Sequence, residues 1–153
     1  MKRGTVAQFA GAVALVACLG CGAAADAPPH IEVDRTACAH CGMLVSEPIH
    51  AAAYKAPGAE ARVFDDIACL LAAVSRTETT PALRFWFQDA AGHGWIDGET
   101  AVFVRSSRFR TPMNGGIAAY GDRERAETAA AEHEGRLIPG LRALLAAPKG
   151  GEL

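Results

Sequence analysis

The sequence predicts an α+β fold built from two small ββαβ units that pack together. Three observations support this prediction: short strand-type stretches recur along the chain, two helical patterns each follow an aspartate, and the order of these elements occurs twice. The second occurrence begins after residue 90, which places the halves at approximately residues 43–90 and 93–140. Residue identity between the halves is low, so the repeat is one of structural order.

The first half is organised around an amphipathic helix. Apolar residues recur with helical spacing over Ile67–Val74, and Asp65 before them is the expected N-cap residue. Strand-type stretches on either side of this helix are His30–Asp34, Ile49–Tyr54, Ala61–Phe64 and Leu83–Phe87.

The second half repeats this order. Phe64–Asp66 in the first half stands where Tyr120–Asp122 stands in the second, just before each helix. The predicted strands are Trp95–Ile96, Ala101–Val104, Ile117–Tyr120 and Arg136–Ile138, and the predicted helices are Asp122–His133 and the short Leu141–Ala147.

The beginning of the chain has the features of a bacterial lipoprotein signal peptide. Lys2 and Arg3 form a basic region, and the apolar run over residues 6–17 is too short to span a bilayer. The run ends in Leu15–Cys18, which has the Leu-x-Ala-Cys pattern that directs lipid attachment to cysteine. We therefore predict that residues 1–17 are a lipoprotein signal peptide.

The same pattern predicts the location of the protein. Lipid on Cys18 would anchor it to a membrane and, because Gly20 is not the aspartate that retains lipoproteins at an inner membrane, to an outer membrane facing the periplasm. The alternative is an ordinary signal peptide cleaved after Ala17 or Ala25.

Length and charge limit what the rest of the chain can be. Of the 153 residues, 136 follow the predicted signal peptide, which suffices for one compact domain or two very small ones. We predict a flexible, lipid-anchored tether at residues 18–34 and a domain at residues 35–148, because the stretch before Pro29 is rich in alanine and proline. Loss of Lys2 and Arg3 leaves 13 basic against 17 acidic residues, and this balance argues against nucleic-acid binding.

The stretch Cys38–Met43 contains two thiols, an imidazole and a thioether within six residues. Its C-x-x-C pattern fits a redox pair, half of a zinc site or a structural disulfide. The thioether of Met43 favours Cu(I), because thioether sulfur is a soft ligand. An oxidising compartment would tend to join Cys38 to Cys41, so metal binding requires that these thiols stay reduced.

A second loop carries Met113, between the stiff Pro112 and a pair of glycines that leave room for close contact. Met113 is either a further soft ligand or a loop side chain packed on the sheet. Cys69 lies on the side of the helix where Asp65 stands, and is either half-exposed or in reach of the Cys38–Met43 stretch. Asp65 and Asp66 also suit a helix N-terminus without any metal.

Taken together, these motifs resemble the NosL family. They are Cys-Gly-Met at 41–43, Phe-Asp-Asp-Ile-x-Cys at 64–69, Trp-Ile-Asp at 95–97 and Thr-Pro-Met at 111–113, in a constant order after a lipoprotein cysteine. NosL proteins are copper-binding lipoproteins accessory to nitrous oxide reductase. The resemblance implies paired ββαβ units, Cu(I) as cargo, and copper transfer through an ABC-type membrane complex to nitrous oxide reductase or another cuproenzyme.

The resemblance maps the copper ligands onto Cys41, Met43 and Met113, while Cys38 forms a C-x-x-C that not all members share. We predict that Cu(I) binds between the two loops through these three residues, with His40, Cys38 or Asp66 as candidate further ligands. This makes the protein a binding module without catalytic turnover. The alternatives are a thiol–disulfide redox protein that uses the C-x-x-C pair, or a copper lipoprotein that serves another enzyme.

Overall fold

The computed structural model describes residues 27–76 and 83–147. Among these residues, no helix has the length and apolar character needed to cross a membrane. In chain order, the elements are a short 3-10 helix (Pro48–His50), β1 (Ala52–Lys55), β2 (Arg62–Phe64), α1 (Ile67–Val74), β3 (Arg84–Gln88), β4 (Trp95–Asp97), β5 (Val102–Arg105), β6 (Ile117–Tyr120), α2 (Arg123–Glu132), β7 (Arg136–Ile138) and α3 (Leu141–Ala146).

The described strands form two small antiparallel sheets. The first has the order β2-β1-β3-β4 and the second the order β6-β5-β7. In each sheet the first strand of the unit is central, its hairpin partner lies on one side, and the strand that follows the helix lies on the other. The prediction of two packed ββαβ units is confirmed. Strand β4 adds to the edge of the first sheet, although the predicted boundary near residue 93 placed it in the second half.

The main core lies between the two sheets. Phe87 of β3 meets Phe103 of β5 edge-on, with ring centroids 4.7 Å apart, and both side chains are fully buried. Helix α1 contributes Leu70 and α3 contributes Leu144 to the same cluster. Helix α2 packs instead on the opposite face of the second sheet, where Ala126 joins a smaller apolar cluster. Burial of both faces explains why β5 and β6 carry apolar residues at consecutive positions.

The segment before β1 covers the outer face of the first sheet. The indole of Trp95 donates a hydrogen bond to the carbonyl of Pro29 (2.9 Å), and Ile31 packs against a cluster that includes Val45 and Val63. Residues 29–34 are therefore part of the domain, and the tether predicted for residues 18–34 extends too far. Its remaining residues, Cys18 and the signal peptide lie outside the described ranges.

Two local predictions are wrong. His30–Asp34 does not form a strand, because this segment turns back through a left-handed Asp34 and packs across the sheet. The N-cap of α1 is Asp66, whose carboxylate accepts a hydrogen bond from the Ala68 amide, and Asp65 lies one residue earlier. This shift of one residue decides which aspartate belongs to the candidate metal site.

Candidate metal centre

A narrow turn brings Cys38 and Cys41 together. Ala37 and Leu44 form an antiparallel bridge, and inside it the Cys38 amide donates to the Met43 carbonyl (2.7 Å). The Gly42 amide returns a hydrogen bond to the Cys38 carbonyl (2.9 Å), and Gly42 has a φ of +79°, where glycine is favoured. The C-x-x-C pair therefore occupies a loop and not the first turn of a helix.

Strand β2 holds this turn in place. The Ala39 amide donates to the Val63 carbonyl (2.8 Å), and the Arg62 guanidinium donates to the Ala39 carbonyl (3.0 Å). We call residues 38–43 the thiol loop. Asp65 follows β2 directly, so the strand that is hydrogen-bonded to the thiol loop also places the Asp65 carboxylate beside it.

Four donor groups meet where the thiol loop, the end of β2 and α1 come together. Sulfur or oxygen atoms of Cys38, Cys41, Asp65 and Cys69 all lie within 4.8 Å of one another, and we call this group the Cys3Asp cluster. The Cys41 sulfur is 3.8 Å from both Asp65 oxygens. Three members are almost completely buried, whereas Cys41 is exposed. An incoming ion would therefore meet the Cys41 thiol first.

Burial affects the protonation of two thiols of the cluster, Cys38 and Cys69. It raises the pKa of the Cys38 thiol, and the hydrogen bond to Asp65 adds to the rise. Burial also raises the pKa of Cys69, with further contributions from the Asp65 carboxylate and from Cys38. Because both thiols hold their protons at neutral pH, a metal ion must displace these protons to bind.

Asp66 has a different task from Asp65. One carboxylate oxygen caps α1 through the Ala68 amide (2.7 Å), and the other accepts from the Thr111 hydroxyl (2.6 Å) and the Met113 amide (2.9 Å). Asp66 is fully buried, and its carboxylate does not belong to the Cys3Asp cluster. The candidate ligand role predicted for Asp66 therefore gives way to a structural one, and Asp65 supplies the carboxylate.

Two methionines belong to segments whose backbones lie next to the cluster. Apart from Met1, Met43 and Met113 are the methionines of the chain, and their exposed fractions are 47% and 42%. Met43 lies in the thiol loop itself, while the Met113 amide is tied to Asp66 at the start of α1. The two loops, some 70 residues apart in sequence, thus come to the same end of α1.

Of the remaining candidate residues, Cys69 belongs to the Cys3Asp cluster and His40 does not. His40 is exposed and lies outside the Cys3Asp cluster. Cys69, which the sequence left with two interpretations, is buried and reaches the thiol loop. Asp65 was missed as a site residue because it was interpreted as the helix cap. The available signal was its place on the same side of α1 as Cys69.

The donor set suits a soft or borderline metal ion, because thiolates are soft ligands and the carboxylate adds negative charge. The cluster also differs from a reactive dithiol, which needs a lowered thiol pKa. Here the pKa values of two of the three thiols are raised by burial.

Comparisons with known proteins identify the fold and the family. The crystal structure of the copper chaperone NosL from Shewanella denitrificans is similar, with a TM-score of 0.66 and 18% identity, over 74% of this chain and 92% of that chain. At this identity the similarity concerns the fold. The comparison with curated proteins gives no match. The sequence model of the NosL family matches residues 29–140, most of the described chain, and this chain is therefore a member of the NosL family.

Proposed function

We propose that this protein is a metallochaperone that binds Cu(I) and passes it to another protein. The observation that carries the proposal is the Cys3Asp cluster with one exposed thiol. Exposed Met43 lies in the same loop as Cys38 and Cys41, and the backbone of exposed Met113 is hydrogen-bonded to Asp66, the residue after Asp65. The likeness to a copper chaperone supports the choice of cargo. A carrier needs an accessible ligand for capture and release, and Cys41 meets that need.

Zinc is the second candidate cargo, because three thiolates and a carboxylate can make a tetrahedral zinc site. The two thioethers favour Cu(I), since thioether sulfur selects soft ions. Truncation of Met43 or Met113 to alanine should therefore weaken Cu(I) binding and leave Zn²⁺ binding unchanged. Ile49→Ala is the matched control, because Ile49 is equally exposed, at 47%, and offers no ligand atom.

A catalytic thiol–disulfide exchange is less well supported. The C-x-x-C pair lies in a loop, and burial keeps Cys38 protonated, whereas an attacking cysteine is activated as a thiolate. A disulfide within the cluster would instead block metal binding by removing thiolate donors. The redox state of these cysteines would then determine whether the carrier can load.

We place this function in the periplasm, with lipid on Cys18 anchoring the protein to the outer membrane. The support is the Leu15–Cys18 pattern and the basic and apolar residues before it. By family membership, the proposed recipients are an ABC-type membrane complex and, through it, nitrous oxide reductase or another cuproenzyme. Acyl labelling of the wild type and of Cys18→Ala tests the anchor, and an unlabelled wild type would refute it.

The central test is an anaerobic Cu(I) titration of the reduced full chain against a competing chromogenic chelator. Cys41→Ser, Cys38→Ser and Cys69→Ser should each weaken binding, because each removes a thiolate from the cluster. Cys21→Ser is the matched control, since it removes a cysteine that the sequence places outside the domain. Equal affinity in all four variants would refute the Cys3Asp cluster as the copper site.

A further inference from the structure

A buried carboxylate–hydroxyl pair joins the two halves beside the Cys3Asp cluster. The Thr111 hydroxyl in the second half donates to Asp66 in the first half at 2.6 Å. Asp66 is fully buried and Thr111 is 8% exposed. A hydrogen bond to a carboxylate is among the stronger ones, and burial removes competition from water. The pair is therefore a firm connection between α1 and the Met113 loop.

Thr111 also shapes the Met113 loop internally. Its hydroxyl oxygen accepts from the Gly115 amide (3.0 Å) and the Gly116 amide (3.4 Å), and its carbonyl accepts from the Asn114 amide (2.8 Å). Asn114 and Gly116 have φ angles of +53° and +63°, as a tight turn requires. The loop closes around one hydroxyl group.

The loop lies directly on the first turn of α1. A Cβ atom added to Gly115 would stand 2.5 Å from the Ala68 Cβ and 2.8 Å from an Asp66 oxygen. The Met113 amide is 2.9 Å from the other Asp66 oxygen, and the residue before Asp66 is Asp65 of the cluster. The Met113 backbone is thus hydrogen-bonded to the residue that directly follows Asp65, a candidate metal ligand.

We propose that Asp66 and Thr111 are positioning residues for the Met113 thioether, an inference that rests on the proposed Cu(I) function. Their hydrogen bonds order the Met113 loop before copper arrives, so binding does not have to order it. Partners that orient a ligand typically change metal affinity by about 10- to 100-fold when they are removed. Neither residue contacts the ion; both act through Met113.

The first test compares Thr111→Val with Thr111→Ser in the reduced full chain. The valine variant keeps the volume and loses the hydroxyl, so we expect Cu(I) affinity to fall by about tenfold or more. X-ray absorption should then count one sulfur ligand fewer. Thr111→Ser restores the hydroxyl and should restore both the affinity and the sulfur count.

The control is Thr128→Val, which removes an exposed hydroxyl on α2 that donates to the Glu124 carbonyl. Affinity and sulfur count should be unchanged. A purely structural role for Thr111 predicts a lower melting temperature with unchanged affinity and sulfur count, and that result would overturn the inference. If Thr111→Val does not fold, Asp66→Asn replaces it. Asparagine keeps the oxygen that caps α1, but its amide nitrogen cannot accept from the Thr111 hydroxyl or the Met113 amide.

A double-mutant cycle with Met113→Ala identifies the route of the effect. If Thr111 acts through Met113, adding Thr111→Val to Met113→Ala should cause no further loss of affinity. Additive losses would overturn the inference while leaving Cu(I) binding intact. A wild-type chain that binds no Cu(I) would refute the proposed function itself, and this inference with it.

Discussion

The two ββαβ halves use the same helix start for different purposes. In the first half Asp66 caps α1 and lies buried, with bonds into the other half; in the second half Asp122 caps α2 through the Arg125 amide (3.0 Å) and is exposed. The residue before the cap is Asp65 in one half and Gly121 in the other. The same local structure therefore serves as part of a candidate metal site once and as a simple helix cap once.

The third position after each cap shows the same contrast. It is occupied by the buried Cys69 in α1 and by the exposed Arg125 in α2. Helix α1 contributes Ile67, Cys69 and Leu70 to the main core that both sheets share, so its first turn is enclosed. Helix α2 packs on the other face of the second sheet through Ala126 and Ala129, and its first turn is exposed. The candidate metal site thus lies in the half whose helix start is enclosed.

The largest expected effect is on the pH dependence of Cu(I) binding. Since burial raises the pKa of Cys38 and Cys69, each must lose a proton to bind, and affinity should rise about tenfold per pH unit for each such thiol below its pKa. We expect a slope near two or more between pH 6 and 8, measured by chelator competition. Cys69→Ser should lower this slope by one, and Arg125→Ala at the matching position of α2 should not. An unchanged slope in Cys69→Ser would exclude Cys69 as a thiolate ligand.

The next effect is on stability. Asp66→Ala removes a helix cap and leaves the Thr111 hydroxyl and the Met113 amide without their acceptor, which should lower the unfolding free energy by about 3–5 kcal/mol. Asp122→Ala removes only an exposed cap and should cost about 1 kcal/mol. Urea denaturation of the two variants gives this comparison. Equal losses would mean that Asp66 is only a cap.

A pair of glycines gives a smaller effect. Gly115→Ala places a methyl group 2.5 Å from the Ala68 Cβ, so the Met113 loop must move away from α1, and we expect a loss of about 1–3 kcal/mol. Gly121→Ala meets only ordinary contacts at 3.6 Å or more and should be close to neutral. Thermal melts compare the two, and a neutral Gly115→Ala would show that the loop is not held against α1.

The smallest effect concerns the metal-free protein at alkaline pH. Folded Cys38 and Cys69 have raised pKa values, so their stabilising contribution is complete below the ordinary thiol pKa of about 8.5 and is lost as pH rises above it. One pH unit above that value, Cys69 should account for roughly 1 kcal/mol, and Cys38 should change the unfolding free energy in the same direction. Tyr120 in the second half, whose pKa burial also raises, should respond only above about pH 10. An unfolding free energy that does not change between pH 8 and 10 would contradict the raised pKa values of Cys38 and Cys69.

The elements of the fold were predictable from local patterns, whereas the site depended on contacts between distant residues. Spacing identified α1 and α2. The predicted start of α1 was wrong by one residue, because helix propensity does not resolve helix ends. As a result Asp65 was predicted as the N-cap and Asp66 as a candidate ligand. The Thr111 bond to Asp66 spans 45 residues, and no local pattern contains it. The Cys41, Met43 and Met113 motifs were found because their side-chain chemistry is unusual in loops.

The hydrogen bond between Trp95 and the Pro29 carbonyl also determines how far the protein could reach from a membrane. If Cys18 carries the lipid, ten residues separate it from a point fixed to the first sheet. Even a fully extended chain of this length spans at most about 40 Å. The first sheet would then stay within that distance of the bilayer, and any protein that contacts the domain would have to present its contact surface in the same layer.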